Sequence, residues 1–151
     1  ACIAPWSLNE FGRLYNEHAV NDSRGLCPSG WYVSSDDDWM TLEMALGMSE
    51  EEAVSLFWRG TDQGAQMKSD HGWYNGGNGT NSSGFSGLPG GVRDYSGEFI
   101  FAGKYGYWWV AGPTNWLLNS RCLVSSSSAL EIPPSMPFVY GYSVRCVQDA
   151  E

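Results

Sequence analysis

No stretch of this 151-residue sequence approaches the ~20 consecutive apolar residues that a membrane-spanning helix requires. Membrane insertion is therefore not expected. Basic residues are scarce as well: 8 Lys and Arg stand against 17 Asp and Glu, a net charge of −9. Phosphate backbones and anionic lipid surfaces bind basic faces, which argues against nucleic acid as a partner. There are only two histidines, His18 and His71, and no Cys-x-x-Cys pair or Cys/His cluster at zinc spacing. Chemistry that leans on those side chains has little to draw on, and no cofactor or metal is expected. With Ala1 at its start and no signal-peptide pattern in it, the sequence is expected to be a processed mature protein or a piece of something longer.

Aromatic residues and glycine are what the sequence has in plenty: 8 Trp, 8 Tyr, 6 Phe and 19 Gly. That mixture suits short strands and tight turns better than a helical bundle. The length fits one domain over residues 1–151, burying roughly 70% of the surface of the unfolded chain. The cysteines are Cys2, Cys27, Cys122 and Cys146. An even number at wide spacing reads as disulfides in an oxidising compartment; the alternative is buried free thiols in a cytosolic protein.

Along the chain, Phe11 to Trp31 holds Gly12, Gly25, Pro28 and Gly30 and reads as strands and turns. Ser35 followed by Asp38 fits a capping box, and the acidic run Asp36 to Asp38 suits a helix N-terminus. Trp39, Leu42, Ala45 and Leu46 mark one apolar helical face, which Gly47 ends. Ser49 with Glu52 repeats the start signal, and Ala53, Leu56 and Phe57 predict a second apolar stripe ending at Gly60. A carboxylate metal site at Asp36 to Asp38 is the sharper alternative to the helix start. His71 to Gly87 reads as a glycine-rich loop too polar for a core element. Val92 to Trp109 reads as short strands broken by Gly97, Gly103 and Gly106. Val110 to Tyr140 has only two charged residues, Arg121 and Glu131, with a four-serine run and three nearby prolines. Pro133 and Pro134 forbid a helix and disfavour a central strand, so a long functional or disordered loop is expected. Tyr142 to Val147 reads as a last strand carrying Cys146.

Motifs that carry catalysis are weak. Gly84-Phe85-Ser86-Gly87 begins like a nucleophile elbow, but Leu88 stands where the motif needs its second glycine. The glycines at 76 to 79 lack the Gly-Lys-Ser/Thr ending of a phosphate loop. His18 beside Glu17 is too little for a metal site. Sequons at Asn21, Asn78 and Asn81 arise easily by chance in a chain rich in Asn, Ser and Thr. The expected class is a binding protein and not an enzyme.

The order of motifs carries more. Gly12-Arg13-Leu14-Tyr15-Asn16 precedes Gly25-Leu26-Cys27-Pro28-Ser29-Gly30-Trp31, then Ser34-Ser35-Asp36 with Trp39. Gly84-Phe85-Ser86-Gly87-Leu88-Pro89-Gly90-Gly91 with Arg93, Gly106-Tyr107-Trp108-Trp109 and Gly141-Tyr142-Ser143-Val144-Arg145-Cys146-Val147 follow. Over residues 11 to 148 this resembles the Fibrobacter succinogenes major paralogous domain, a family of bacterial surface and secreted proteins. The resemblance implies an α+β, C-type-lectin-like fold with two helices, short antiparallel strands and long loops. It also implies a Cys27–Cys146 disulfide, with Cys2 and Cys122 left over, and a frame that includes Phe85, Leu88, Trp108, Trp109 and Val144.

Some members of that family are targets of diversity-generating retroelements, which mutate adenines in codons between the Gly-Tyr-Trp-Trp and Ser-Val-Arg-Cys motifs. Here Val110-Ala111-Gly112 replaces the usual Ser-Ser-Thr, and residues 110 to 140 are mostly types reachable from Asn codons, with Trp116, Glu131 and Met136 as exceptions. The resemblance thus points to a ligand face drawn from Thr114, Asn115, Trp116, Leu118, Ser125, Ser127, Met136, Phe138 and Tyr140. Trp116, Phe138 and Tyr140 are the expected anchors, with Ser125 to Ser128 beside them as adaptable hydrogen-bonding groups. Neither the calcium-binding Glu-Pro-Asn and Trp-Asn-Asp motifs of C-type lectins nor the close cysteine pair of formylglycine-generating enzymes is present. The implied role is recognition of a protein or glycan ligand on another cell surface, as in a surface adhesin or a phage receptor-binding protein. Secretion, cell-surface display or a virion tail would be its location. The alternative is a structural fibre or pilus subunit that assembles with itself as a homo-oligomer or within a larger fibre.

Overall fold

The computed structural model describes residues 5–112, 119–133 and 139–148. Its helices are short: α1 (Pro5–Phe11), α2 (Glu17–Val20), α3 (Asp36–Ala45), α4 (Glu50–Ala53) and α5 (Gln63–Met67), with a single 3-10 turn at Tyr74–Gly76. Strands β1 (Trp31–Val33) and β8 (Cys146–Gln148) form an antiparallel ribbon, and β3 (Val92–Arg93) pairs with β4 (Phe99–Ile100). The largest sheet is antiparallel in the order β2 (Phe57–Arg59), β7 (Leu130–Ile132), β6 (Ser120–Val124), β5 (Tyr105–Trp109). The architecture is α+β.

The start of α3 is where its sequence places it. The Ser35 hydroxyl accepts the Asp38 N–H and the Asp38 carboxylate accepts the Ser35 N–H at 2.8 Å, closing the capping box. Its buried face differs from the apolar stripe expected. Ala45 is exposed, and the buried positions are Trp39 and Glu43, one turn apart. The second helix is shorter than expected as well. The Ser49–Glu52 box forms, but α4 stops at Ala53, and Leu56 and Phe57 are 39% and 52% exposed. Phe57, at φ 66°, leaves the helical region and opens the edge strand β2. Pairing with β7 turns Arg59 inward, where it meets Glu43. Tertiary pairing overrides the helical pattern here.

The long loop expected over Val110 to Tyr140 is also corrected, because it contains β6 and β7 at the centre of the main sheet. β6 is buried along its whole length. Val124, Leu130 and Ile132 supply the β-forming side chains, and Pro133 follows where the pairing ends. In the 71–87 stretch, Trp73 is a core residue, 5% exposed, and its indole N–H donates to Ser69 Oγ and to the Gly87 carbonyl. A Cβ on Gly77 would meet the Ser125 carbonyl, so the glycines there let backbone lie on backbone. The final strand is confined to Cys146–Gln148. Before it, Gly141 bridges to Arg93, Tyr142 to Tyr15 and Ser143 to Trp108 of β5, with the Trp109 N–H donating to the Ser143 carbonyl at 3.0 Å.

Side chains alternate across the main sheet. One face carries Tyr107, Trp109, Cys122 and Val124, which pack with Val20, Val33, Val92 and Tyr142. The other carries Trp108, Leu123 and Leu130, which pack with Trp39, Met67 and Trp73. The Cys27–Cys146 disulfide, with Cα atoms 5.9 Å apart, ties the segment before β1 to β8.

Candidate functional site

Under the main sheet lies a quartet of charged side chains, Asp36 and Glu43 from α3, Arg59 from β2 and Arg121 from β6. Arg59 Nη2 donates to both Glu43 carboxylate oxygens at 2.7 and 2.6 Å. Arg121 Nε donates to Glu43 Oε1 at 3.1 Å, and its Nη2 bonds Asp36. The side chains of Glu43, Arg59 and Arg121 are at most 1% exposed. Two positive and two negative charges cancel, and three of the four side chains are shut off from solvent; Asp36, at the rim, is 31% exposed. The quartet fastens α3 to the sheet and is scaffold. Asp36 is held by Arg121, and Asp38 is used in the cap and by the Tyr32 hydroxyl at 3.0 Å. Among the described residues no three His, Cys, Asp or Glu side chains gather as metal ligands. Ser86, at φ 54°, shares its hydroxyl with Asn81 Nδ2 at 2.9 Å and not with a histidine.

Of the ligand face expected from the sequence, Thr114, Asn115, Trp116, Leu118, Met136 and Phe138 lie outside the described residues. Ser125 and Ser127 belong to the β6–β7 hairpin and are half-buried. Ser127 Oγ accepts the Ala129 N–H at 3.1 Å, and the Lys68 ammonium donates to the carbonyls of Val124 and Ser127 at 3.1 and 2.9 Å. A small polar cavity of about 150 Å³ is lined by this hairpin together with Gly76 to Asn78. Tyr140 is half-buried against the Tyr107 cluster, its ring 6.3 Å from that of Tyr95.

The register decides what can act together. Tyr105 pairs with Val124, and Trp109 with Ser120. The serine hairpin therefore stands at one end of β5–β6. Gly112 and Asn119, which flank the Trp116 stretch, stand at the other, with the Val110 N–H donating to the Asn119 carbonyl at 2.9 Å. A five-residue strand separates the two ends by ~16 Å. The structure does not bring Ser125 and Ser127 together with the ends of the Trp116 stretch. Ile132 and Pro133, which lead toward Met136, do share its end of the sheet, since Cys122 pairs with Glu131.

Two residues not assigned to a site from the sequence stand in the middle row of the sheet, in line with Cys122. Across one face of the sheet run Tyr107, Cys122, Glu131 and Trp58, one from each strand. Trp58, on the edge strand, is 51% exposed. Glu131 is half-buried and makes no hydrogen bond or ion pair among the described residues; desolvation holds its carboxyl above the usual range. Burial likewise pushes the Cys122 thiol and the Tyr107 hydroxyl far up, so both are neutral and unreactive. An exposed indole plane beside a half-buried carboxyl can stack on a ligand and hydrogen-bond it. The signal for Trp58 was Phe57-Trp58-Arg59 before Gly60, which suits a strand as well as a helix end.

No match was found among curated proteins or among solved structures. The family model for the Fibrobacter succinogenes major domain matches residues 4–148. That span takes in the disulfide, the aromatic frame of Trp108, Trp109 and Tyr142, and the charged quartet beneath the sheet. The chain belongs to the Fibrobacter succinogenes major domain family.

Proposed function

We propose that this chain is an extracellular recognition module of C-type-lectin-like fold, which binds a protein or glycan ligand and catalyses nothing. Its ligand face is drawn from residues 110–140 at the Trp109/Ile132 end of the main sheet and extends to Trp58 and Glu131 in the sheet's middle row. The observation that carries this reading is the exposed aromatic edge, Phe57 and Trp58, set next to Glu131, which has no hydrogen-bond or ion-pair partner among the described residues. Exposed aromatic residues held by a stable frame are the usual makings of a recognition surface. The Cys27–Cys146 disulfide fits an oxidising compartment outside the cell.

The test is a glycan array together with binding to intact bacterial cells, comparing the natural chain with Trp58→Ala and Trp116→Ala. Loss of binding at an unchanged melting temperature supports the reading. Retained binding in both variants removes that face from the argument. Diversification of the face would show in the flanking DNA as a near-repeat of codons 110 to 146 beside a reverse-transcriptase gene.

The edge strand favours a second reading, self-assembly into a fibre. Among the described residues β2 pairs with β7 on one side only, and it exposes Phe57 and Trp58. Size-exclusion chromatography separates the two: a binder elutes near 16.6 kDa at low concentration, and a fibre subunit elutes as large species.

A further inference from the structure

Between α3 and the β1–β8 ribbon the surface opens into a groove of about 560 Å³. Small-molecule sites run roughly 300–1,000 Å³. Its walls are apolar: Trp39 and Phe85, with ring centroids 5.3 Å apart, then Leu42 and Ala45 of α3, and Trp31, 43% exposed, on the strand side. One cation enters this space. The Arg145 guanidinium lies 4.3 Å from the Phe85 ring centroid, and its Nη2 donates to the Phe85 carbonyl at 2.8 Å. Its Nε is buried without a partner, and Arg145 makes no ion pair among the described residues. Asp38 lines the same groove, but Ser35 and Tyr32 engage its carboxylate. Arg145 as a whole is half-buried, and taking a guanidinium even partly out of water without a counter-charge costs free energy. In a chain with 17 acidic residues and a net charge of −9, its isolation is unusual.

We propose that this groove is a binding site for a small organic anion, a carboxylate or sulfonate carried on a flat apolar body. The anion supplies a counter-charge that Arg145 lacks among the described residues, through charge-assisted hydrogen bonds. The flat body lies against Trp31, Leu42 and Ala45, where stacking on the exposed Trp31 ring and burial hold it. None of the lining residues belongs to 110–140, so the site is separate from the ligand face proposed above.

The experiment is isothermal titration of the intact, disulfide-bonded chain with naphthalene-2-carboxylate and with its uncharged counterpart, 2-naphthamide. Saturable binding of the carboxylate below about 1 mM is expected, with the amide about tenfold weaker, the margin of one charge-assisted contact. Ala45→Trp, at an exposed helix position lining the groove, should abolish binding of both. Arg145→Met should bring acid and amide to equal affinity. Should Arg145→Met fail to fold, Ala45→Trp and the acid–amide comparison on the natural chain decide alone. No saturable binding of the carboxylate, equal affinity for acid and amide, or undiminished binding to Ala45→Trp would overturn the proposal.

Discussion

Glu43 and Arg121, 78 residues apart in sequence, meet beneath the main sheet at 3.1 Å, with side chains 0% and 1% exposed. Glu43 also takes both hydrogen bonds from Arg59 Nη2, so one carboxylate joins a helix to two strands. Replacing it with Gln leaves two buried guanidinium groups without their shared anion. The expected cost is about 3–5 kcal/mol, far more than a surface ion pair returns. Urea unfolding of Glu43→Gln should show a lowered midpoint at an unchanged slope. An unchanged midpoint would mean that the quartet is not part of the scaffold.

The Cys27–Cys146 bond spans a sequence separation of 119 residues. Closing a loop of that length removes about 4–5 kcal/mol of unfolded-state entropy in chain models. Cys27→Ala/Cys146→Ala should lose a comparable stability. Cys122, buried and with its thiol pushed up, should resist iodoacetamide until the chain unfolds. A non-reduced peptide map carrying the label on Cys27 or Cys146 would contradict the pairing.

Glu131 sets a pH dependence whose sign runs opposite to that of an ion-paired carboxylate. Desolvation raises its folded-state value above the ordinary 4.5, so between the two values the folded chain binds more protons than the unfolded one. The contribution of this group is most favourable at low pH and falls as pH rises through the raised value. Glu131→Gln should therefore raise the melting temperature at pH 7 and leave it unchanged near pH 4. A melting temperature lowered at pH 7 would show that the carboxylate has a partner in solution.

Trp109 and Trp58 lie on the same face of one sheet and should behave in opposite ways. Trp109 is 1% exposed, and its indole N–H donates to the Tyr15 carbonyl at 2.6 Å. Trp109→Ala should cost about 3–5 kcal/mol. Trp58→Ala removes an exposed edge residue and should shift stability by less than about 1 kcal/mol. Thermal melts of the two variants check this, and a large loss for Trp58→Ala would make it frame and not ligand surface.

Local chemistry was legible in the chain alone. Both capping boxes, at Ser35 and Ser49, form because Ser, Asp and Glu at fixed offsets satisfy the helix ends without help from distant residues. The short strands of 92–109 follow from glycines and aromatics in alternation, and the ordered motifs carried the family and the Cys27–Cys146 pairing. What lay beyond the sequence needed contacts between distant segments. Leu56 and Phe57 continue a helical pattern, yet pairing with β7 makes a strand there and turns Arg59 toward Glu43. Serines and prolines between 110 and 140 suggest a loop, yet the partners offered by β5 draw residues 120–124 into the sheet's centre. Register then sends Ser125 and Ser127 to the end away from Asn119, and sets Glu131 beside Trp58. A sequence states which side chains exist and how each prefers its own backbone; which charges meet, and which aromatic is left facing water, is decided by strand register and burial, both set by the whole chain at once.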